Sequence, residues 1–89
     1  MLNQIVLVGR VKRFYDNIIV LNVPRNYKNS KGEYDIDVIP CTIKGTMLDN
    51  TREYININDV VGIKGSINKL DNEEMSINVE KLTFLSSKN

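Results

Sequence analysis

The chain opens Met1-Leu2-Asn3-Gln4-Ile5-Val6-Leu7-Val8-Gly9-Arg10, and the reading of this run decides the fold. Ile5 to Val8 are apolar without a break, so a strand built from them calls for cover on both faces. Gly9 interrupts the run and suggests a bend or bulge instead of a straight continuation. Basic residues follow at once. A strand that curves so as to serve two sheets is what a small closed β-barrel requires.

Outward from this run the apolar pattern keeps period two almost everywhere, in β-branched company. It predicts strands over residues 3–14, 17–24, 34–44, 60–70 and 74–85. In the second, Ile19, Leu21 and Val23 alternate against Ile18, Val20 and Asn22. In the third, Ile39, Cys41 and Ile43 read as buried, and Val38, Pro40, Thr42 and Lys44 as outward. Pro40 has no amide to give a ladder, which marks an edge or a bulge. Gly62 and Gly65 predict bends in the fourth strand, and a phase slip near Lys81 brings Leu82 and Phe84 into use in the fifth. After Gly45 the period changes. Thr46-Met47-Leu48-Asp49 reads as a capped helix start, with Leu48, Thr51 and Ile55 on one face and an end near Asn56. Asn58 suits a left-handed turn. Residues 25–33 form a long polar connection, and 71–73 a short turn. The order strand-strand-strand-helix-strand-strand predicts an all-β OB-fold, a five-stranded Greek-key barrel with one helix between strands 3 and 4.

Composition narrows function. Eighty-nine residues suffice for one core, and a domain this small gains from self-association. The single cysteine excludes an intramolecular disulfide or a cysteine-rich zinc site, and the absence of histidine removes the commonest general base and metal ligand. With no glycine-rich phosphate loop and no nucleophile–base pair, the chain reads as non-enzymatic and free of cofactors. Asp35 and Asp37, two apart, suit a solvated or ion-paired face better than a metal. Cys41 reads as a small apolar residue of the interior. The opening run lacks a basic leader and is too short to span a membrane, so a cytoplasmic protein is expected.

The net charge is only +1, but residues 10–31 hold six basic side chains against one acid. Arg10, Lys12, Arg13, Arg25, Lys28 and Lys31 make a footprint for a polyanion, although the same charges also suit a solvated face. Tyr27 and Tyr34 fall among them, the grammar of a groove that tracks phosphates and stacks bases. Phe14 fits either role. Tyr54 and Phe84 read as core. Lys64 and Lys69 could extend the cationic track.

Three segments, in order, resemble the bacterial single-stranded-DNA-binding proteins over residues 1–85. The opening run is similar to that family's Met-Leu-Asn-x-Val-x-Leu-Val-Gly-Arg. Asp37-Val38-Ile39-Pro40-Cys41-Thr42-Ile43 is similar to Asp-Phe-Ile-x-Cys-Val-Val-Trp. Tyr54-Ile55 through Val61-Gly62-Ile63-Lys64-Gly65 is similar to Tyr-Leu-x-x-Gly-x-x-Val-x-Val-x-Gly, with Asn58 at the family's glycine. Leu82-Thr83-Phe84-Leu85 resembles its closing strand. The resemblance implies an OB domain over residues 1–85, with 86–89 a short C-terminal end. It implies sequence-independent binding of single-stranded DNA, or of RNA, in replication, repair or recombination, by a homodimer or homotetramer joined through Val6 and Val8 of the first strand. Three departures stand out. The stacking aromatics are replaced by Val38 and Lys44, leaving Lys44 for phosphate contact. The connection between strands 4 and 5 is short, and the acidic C-terminal tip by which the family recruits replication enzymes is expected to be missing. These departures also fit a second function, a dimeric OB-fold adaptor similar to the primosomal relatives, which binds nucleic acid weakly and serves protein–protein interaction.

Overall fold

The computed structural model describes residues 3–69 and 75–85, and the elements run β1 (Ile5–Tyr15), β2 (Ile18–Lys28), β3 (Tyr34–Thr42), α1 (Gly45–Tyr54), β4 (Val60–Lys69) and β5 (Met75–Phe84). The expected turn at 71–73, the strand ends at Leu70 and Glu74, the first two residues, the C-terminal end 86–89 and the Lys69 side chain lie outside the described residues. The strands close into a barrel in the order β1-β2-β3-β5-β4, the OB-fold. Every neighbouring pair is antiparallel except β3 and β5, which run parallel and meet at Cys41↔Ile77 and Thr42↔Asn78.

Closure depends on β1. Its first half, Ile5 to Arg10, pairs with β4, and its second half, Arg10 to Tyr15, pairs with β2. Gly9 stands one residue before the changeover, and a Cβ there would lie 2.7 Å from the Asn22 carbonyl oxygen. The ladder irregularity itself falls later, between Val11 and Arg13, so the extra residue is Lys12. The glycine admits the crossing strand and the bulge turns the chain.

Alternation then sorts the side chains. Val11, Ile19, Leu21, Cys41, Ile43, Val61, Ile63, Ile77 and Val79 fill the interior, each contributing roughly 1.5–3 kcal/mol by leaving water. Burial pushes the Cys41 thiol up to about 12, so it stays protonated and inert at neutral pH. Helix α1 lays Met47 and Leu48 against this core and buries Thr51, and Ile55 just beyond it packs there too. Asn58 has the expected positive φ, 75°, and Asp16 in the tight β1–β2 turn has 51°.

Val6 and Val8, which the resemblance assigns to the contact with a second copy, are 72% and 51% exposed in the single chain. Several expectations need correction. Helix α1 opens at Gly45 behind Lys44, whose side chain makes no capping bond; Thr46 therefore sits inside the first turn and caps nothing. Tyr54 is 65% exposed, because Ile55, in extended backbone just past the helix, takes the buried position. Phe84 is also exposed, as the last residue of β5 opposite Val61, where the wall ends. Gly62 pairs regularly on both sides. Gly65 does mark an irregularity: the register shifts between Lys64 and Gly65, leaving Glu80 as the extra residue on β5.

A Cβ on Gly65 would press into the Asn78 carbonyl, whereas one on Gly62 would meet only the Leu85 side chain at 3.4 Å. Gly65→Ala should therefore cost about 1–3 kcal/mol of stability or more, and Gly62→Ala less than about 0.5 kcal/mol. Urea unfolding midpoints of the two variants measure the difference.

Candidate nucleic-acid interface

The polar connection expected over residues 25–33 is strand in its first four residues. β2 continues to Lys28 and β3 begins at Tyr34, so the two strands form an arm that runs past the barrel with a turn of residues 29–33. Asn29 builds that turn. Its side-chain oxygen accepts hydrogen bonds from the amides of Lys31 and Glu33 at 2.9 and 3.0 Å. Its own amide donates to the Glu33 carbonyl at 2.7 Å, and the Gly32 amide donates back to the Asn29 carbonyl at 3.0 Å.

The pairing of β1, β2 and β3 assembles one outward face in rows. Arg13 pairs with Val20, which pairs with Pro40; Arg10 pairs with Asn22, which pairs with Val38. Pro24 pairs with Ile36, and Lys28 with Tyr34 at the arm's end. The register puts these residues out of phase with Leu21 and Cys41 of the interior, on the opposite side of the sheet, where Val20 is covered, Asn22 is half-buried and the others are exposed. Tyr34, Ile36 and Val38 are about half exposed in succession along β3. Lys28 Nζ lies 5.8 Å from the centre of the Tyr34 ring, a cation–π contact. A shallow groove of about 360 Å³ runs past Arg10, Asn22, Pro24 and Ile36. Pro40 fits here because the β3–β5 pairing begins only at Cys41, so Pro40 lies where β3 is paired on the β2 side alone.

The structure does not bring all ten expected residues together. Arg10, Arg13, Lys28 and Tyr34 share the outward face, with Lys12 in the adjacent bulge and Lys31 in the turn at the arm's tip. Arg10 also donates from Nη1 to the Asn58 carbonyl at 3.1 Å. Lys44 has left β3 and stands before α1, at the end of β3 away from the arm. Lys64 lies on β4 between Val6 and Lys81, around the barrel. Arg25 occupies the other side of the arm. There its Nε donates to Asp37 Oδ2 at 3.2 Å and its Nη2 to Asp37 Oδ1 at 3.0 Å. Its Nη1 lies 3.9 Å from Asp35 Oδ2, so both carboxylates are ion-paired, the second of the two alternatives left open by their spacing. The Asp37 hydrogen bonds, then its charge, then the Tyr27 phenol raise the Arg25 pKa. Tyr27 is exposed and is thus tied electrostatically to Arg25, away from the Lys28–Tyr34 pair. Ile36 is a residue that sequence reasoning missed; carrying the period-two alternation back from Val38 would have found it.

Among the described residues no group of three or more His, Cys, Asp or Glu side chains gathers as metal ligands. No helix there is long and apolar enough to cross a membrane.

Comparison with known proteins places this geometry. No family model matches the chain. It is 33% identical to single-stranded DNA-binding protein B of Bacillus subtilis strain 168, in an alignment covering 83% of this chain and 76% of that protein. In structure it is similar to the small single-stranded DNA-binding protein of Streptomyces coelicolor, with a TM-score of 0.72 at 13% identity over 94% of this chain and 95% of that one. It is also similar to a mitochondrial single-stranded DNA-binding protein of S. cerevisiae, with a TM-score of 0.71 at 10% identity over 97% of this chain and 96% of that one. At these identities the structural likeness carries the fold.

The Arg25 hydrogen bonds hold the Asp37 carboxyl below its ordinary 3.8, against a smaller opposing effect of burial. A carboxylate depressed in this way supports the ion pair at every pH above 3.8 and stops doing so only as the pH falls through its lowered folded value. In an NMR titration the Asp37 carboxyl should therefore show a midpoint below 3.8, and Arg25→Ala should return it to that value.

Proposed function

The chain belongs to the single-stranded DNA-binding protein family, and from that premise we propose that it binds single-stranded DNA on the outward face of β1, β2 and β3. The observation that carries this reading is the file Tyr34, Ile36, Val38 along β3, flanked in register by Lys28, Arg10 and Arg13. The cations neutralise phosphates and release their counterions. The Tyr34 ring, braced by Lys28, takes a base on its face; Ile36 and Val38 offer the bases flat apolar contact without the π-surface of an aromatic ring. Nothing in this set reads base edges, so binding is independent of sequence. The protein works without catalysis or cofactor, in the cytoplasm, on strands exposed by replication, repair or recombination.

We further assign self-association to the first half of β1. Val6 and Val8 are exposed side by side, and Leu85 is exposed on the same surface. Among the described residues, Ile5 to Val8 have ladder partners on β4 alone, which leaves one strand edge for a second copy.

Fluorescence anisotropy of a labelled oligothymidylate tests the binding. Affinity should fall steeply with salt, by about 0.7 log unit per log unit of salt for each phosphate neutralised. Tyr34→Ala should weaken it by about 1–3 kcal/mol, whereas Lys44→Ala and Lys64→Ala should change it by less than about 0.5 kcal/mol. No anisotropy change at low salt would overturn the reading. Sedimentation velocity tests the assembly: the wild-type chain should sediment as an oligomer and Val6→Asp as a smaller species. A monomeric wild type sinks the assignment.

A further inference from the structure

The arm raises a question that the outward face does not answer. Beyond the barrel β2 and β3 have no packed interior beneath them, since residues 24–28 and 30–36 are all exposed. Their ladder is also broken. Pairing holds at Pro24↔Ile36 and resumes at Lys28↔Tyr34, so Arg25, Asn26 and Tyr27 stand against the single residue Asp35. A two-stranded ribbon with a gap of this kind and no core is marginal in water.

A chain of polar side chains bridges the gap. Arg25 grips Asp37 across the strands through two nitrogens and reaches Asp35. Asp35 Oδ1 accepts a hydrogen bond from Asn29 Nδ2 at 3.0 Å, and Asn29 holds the turn amides of Lys31 and Glu33. The network thus runs from the last regular rung to the tip. On β3 it uses Asp35 and Asp37, in phase with the core-packed Ile39 and out of phase with Tyr34, Ile36 and Val38. A fork of donors matched to a carboxylate is the geometry in which an exposed ion pair holds a fixed orientation.

We propose that Arg25 is a positioning residue: by pairing with Asp37 and Asp35 across the interrupted ladder it pre-orders the β2–β3 arm, so that Lys28 and Tyr34 are presented to the nucleic acid, and Arg25 itself contacts no phosphate. The inference rests on the DNA-binding reading for its consequence, and on the arm alone for its cause. The pairing has a second effect. It holds two carboxylates against one guanidinium behind the binding face, where half of their charge is offset before it can repel a phosphate backbone.

Two measurements on the full chain test this, and the first needs no DNA. Hydrogen exchange of the Lys31 and Glu33 amides should be slowed in the wild type, faster by about fivefold in Arg25→Ala and in Asp37→Ala, and slowed again in the charge-swapped double variant R25D/D37R. The second is oligothymidylate anisotropy across a salt series. Arg25→Ala and Asp37→Ala should each weaken binding about fivefold with the salt slope unchanged, and the swap should restore it to within about twofold. A direct phosphate contact behaves differently: Arg25→Ala would lower the slope by about 0.7, and Asp37→Ala would bind as well or better by freeing the cation. That outcome, or exchange rates the variants do not change, overturns the proposal. If the exchange follows expectation while no variant, nor the wild type, binds oligothymidylate, the arm is pre-ordered as proposed and the DNA-binding reading is what fails.

Discussion

The structure depends on one strand belonging to two ladders. β1 is hydrogen-bonded to β4 over its first half and to β2 over its second, and without that transfer the sheet would remain open. The transfer sets local demands on the chain. Backbone must cross backbone at Gly9, where the Asn22 carbonyl leaves no room for a side chain, and one surplus residue, Lys12, absorbs the change in direction. It also explains the apolar character of Ile5 to Val8. Ile5 and Leu7 pack against the interior, while Val6 and Val8 face out along an edge whose ladder partners lie on β4 alone among the described residues. A strand that closes a barrel at one end offers an edge at the other.

The arm follows from the same economy of core. β2 buries Ile19, Val20 and Leu21 in succession, after which the barrel ends but the strand does not. Past Pro24 the apolar side chains of the arm have no core to enter, and order must come from directed bonds. These are individually weak at an exposed site. In series they are less so, because Arg25, Asp35 and Asn29 each fix the partner that the next bond uses.

This division explains what could be read from residues alone. Where burial governs, alternation governs too, and the strands, their faces, the inert Cys41 and the left-handed Asn58 were all visible. The arm was not. Its residues are polar and its ladder is interrupted, so no period-two signal survives between Arg25 and Glu33, and the segment reads as a loop. The Arg25–Asp37 pair joins residues twelve apart in sequence, a spacing with no meaning until the register of β2 on β3 is known. Tyr54 and Phe84 show the converse. Their type argues for burial, but each is the final residue of its element, and position outweighs composition at an end.

Charge is where residue counting misleads most. The six cations between Arg10 and Lys31 suggest a single patch, yet the fold gives them different work. Arg25 is taken up by two carboxylates that lie outside that stretch of sequence, and Arg10 lends a nitrogen to the Asn58 carbonyl that ends the turn after α1. Lys12, Arg13, Lys28 and Lys31 carry no ion pair among the described residues. The field at the outward face is therefore weaker than the sequence implies, and it is spread along the sheet from the β1 bulge to the arm's tip. Such a distribution suits a polyanion laid lengthwise across β2 and β3 better than one gripped at a point. Since Ile36 and Val38 supply aliphatic surface between the cations, the path they line is one that flat, unpaired bases can follow with little regard to their identity.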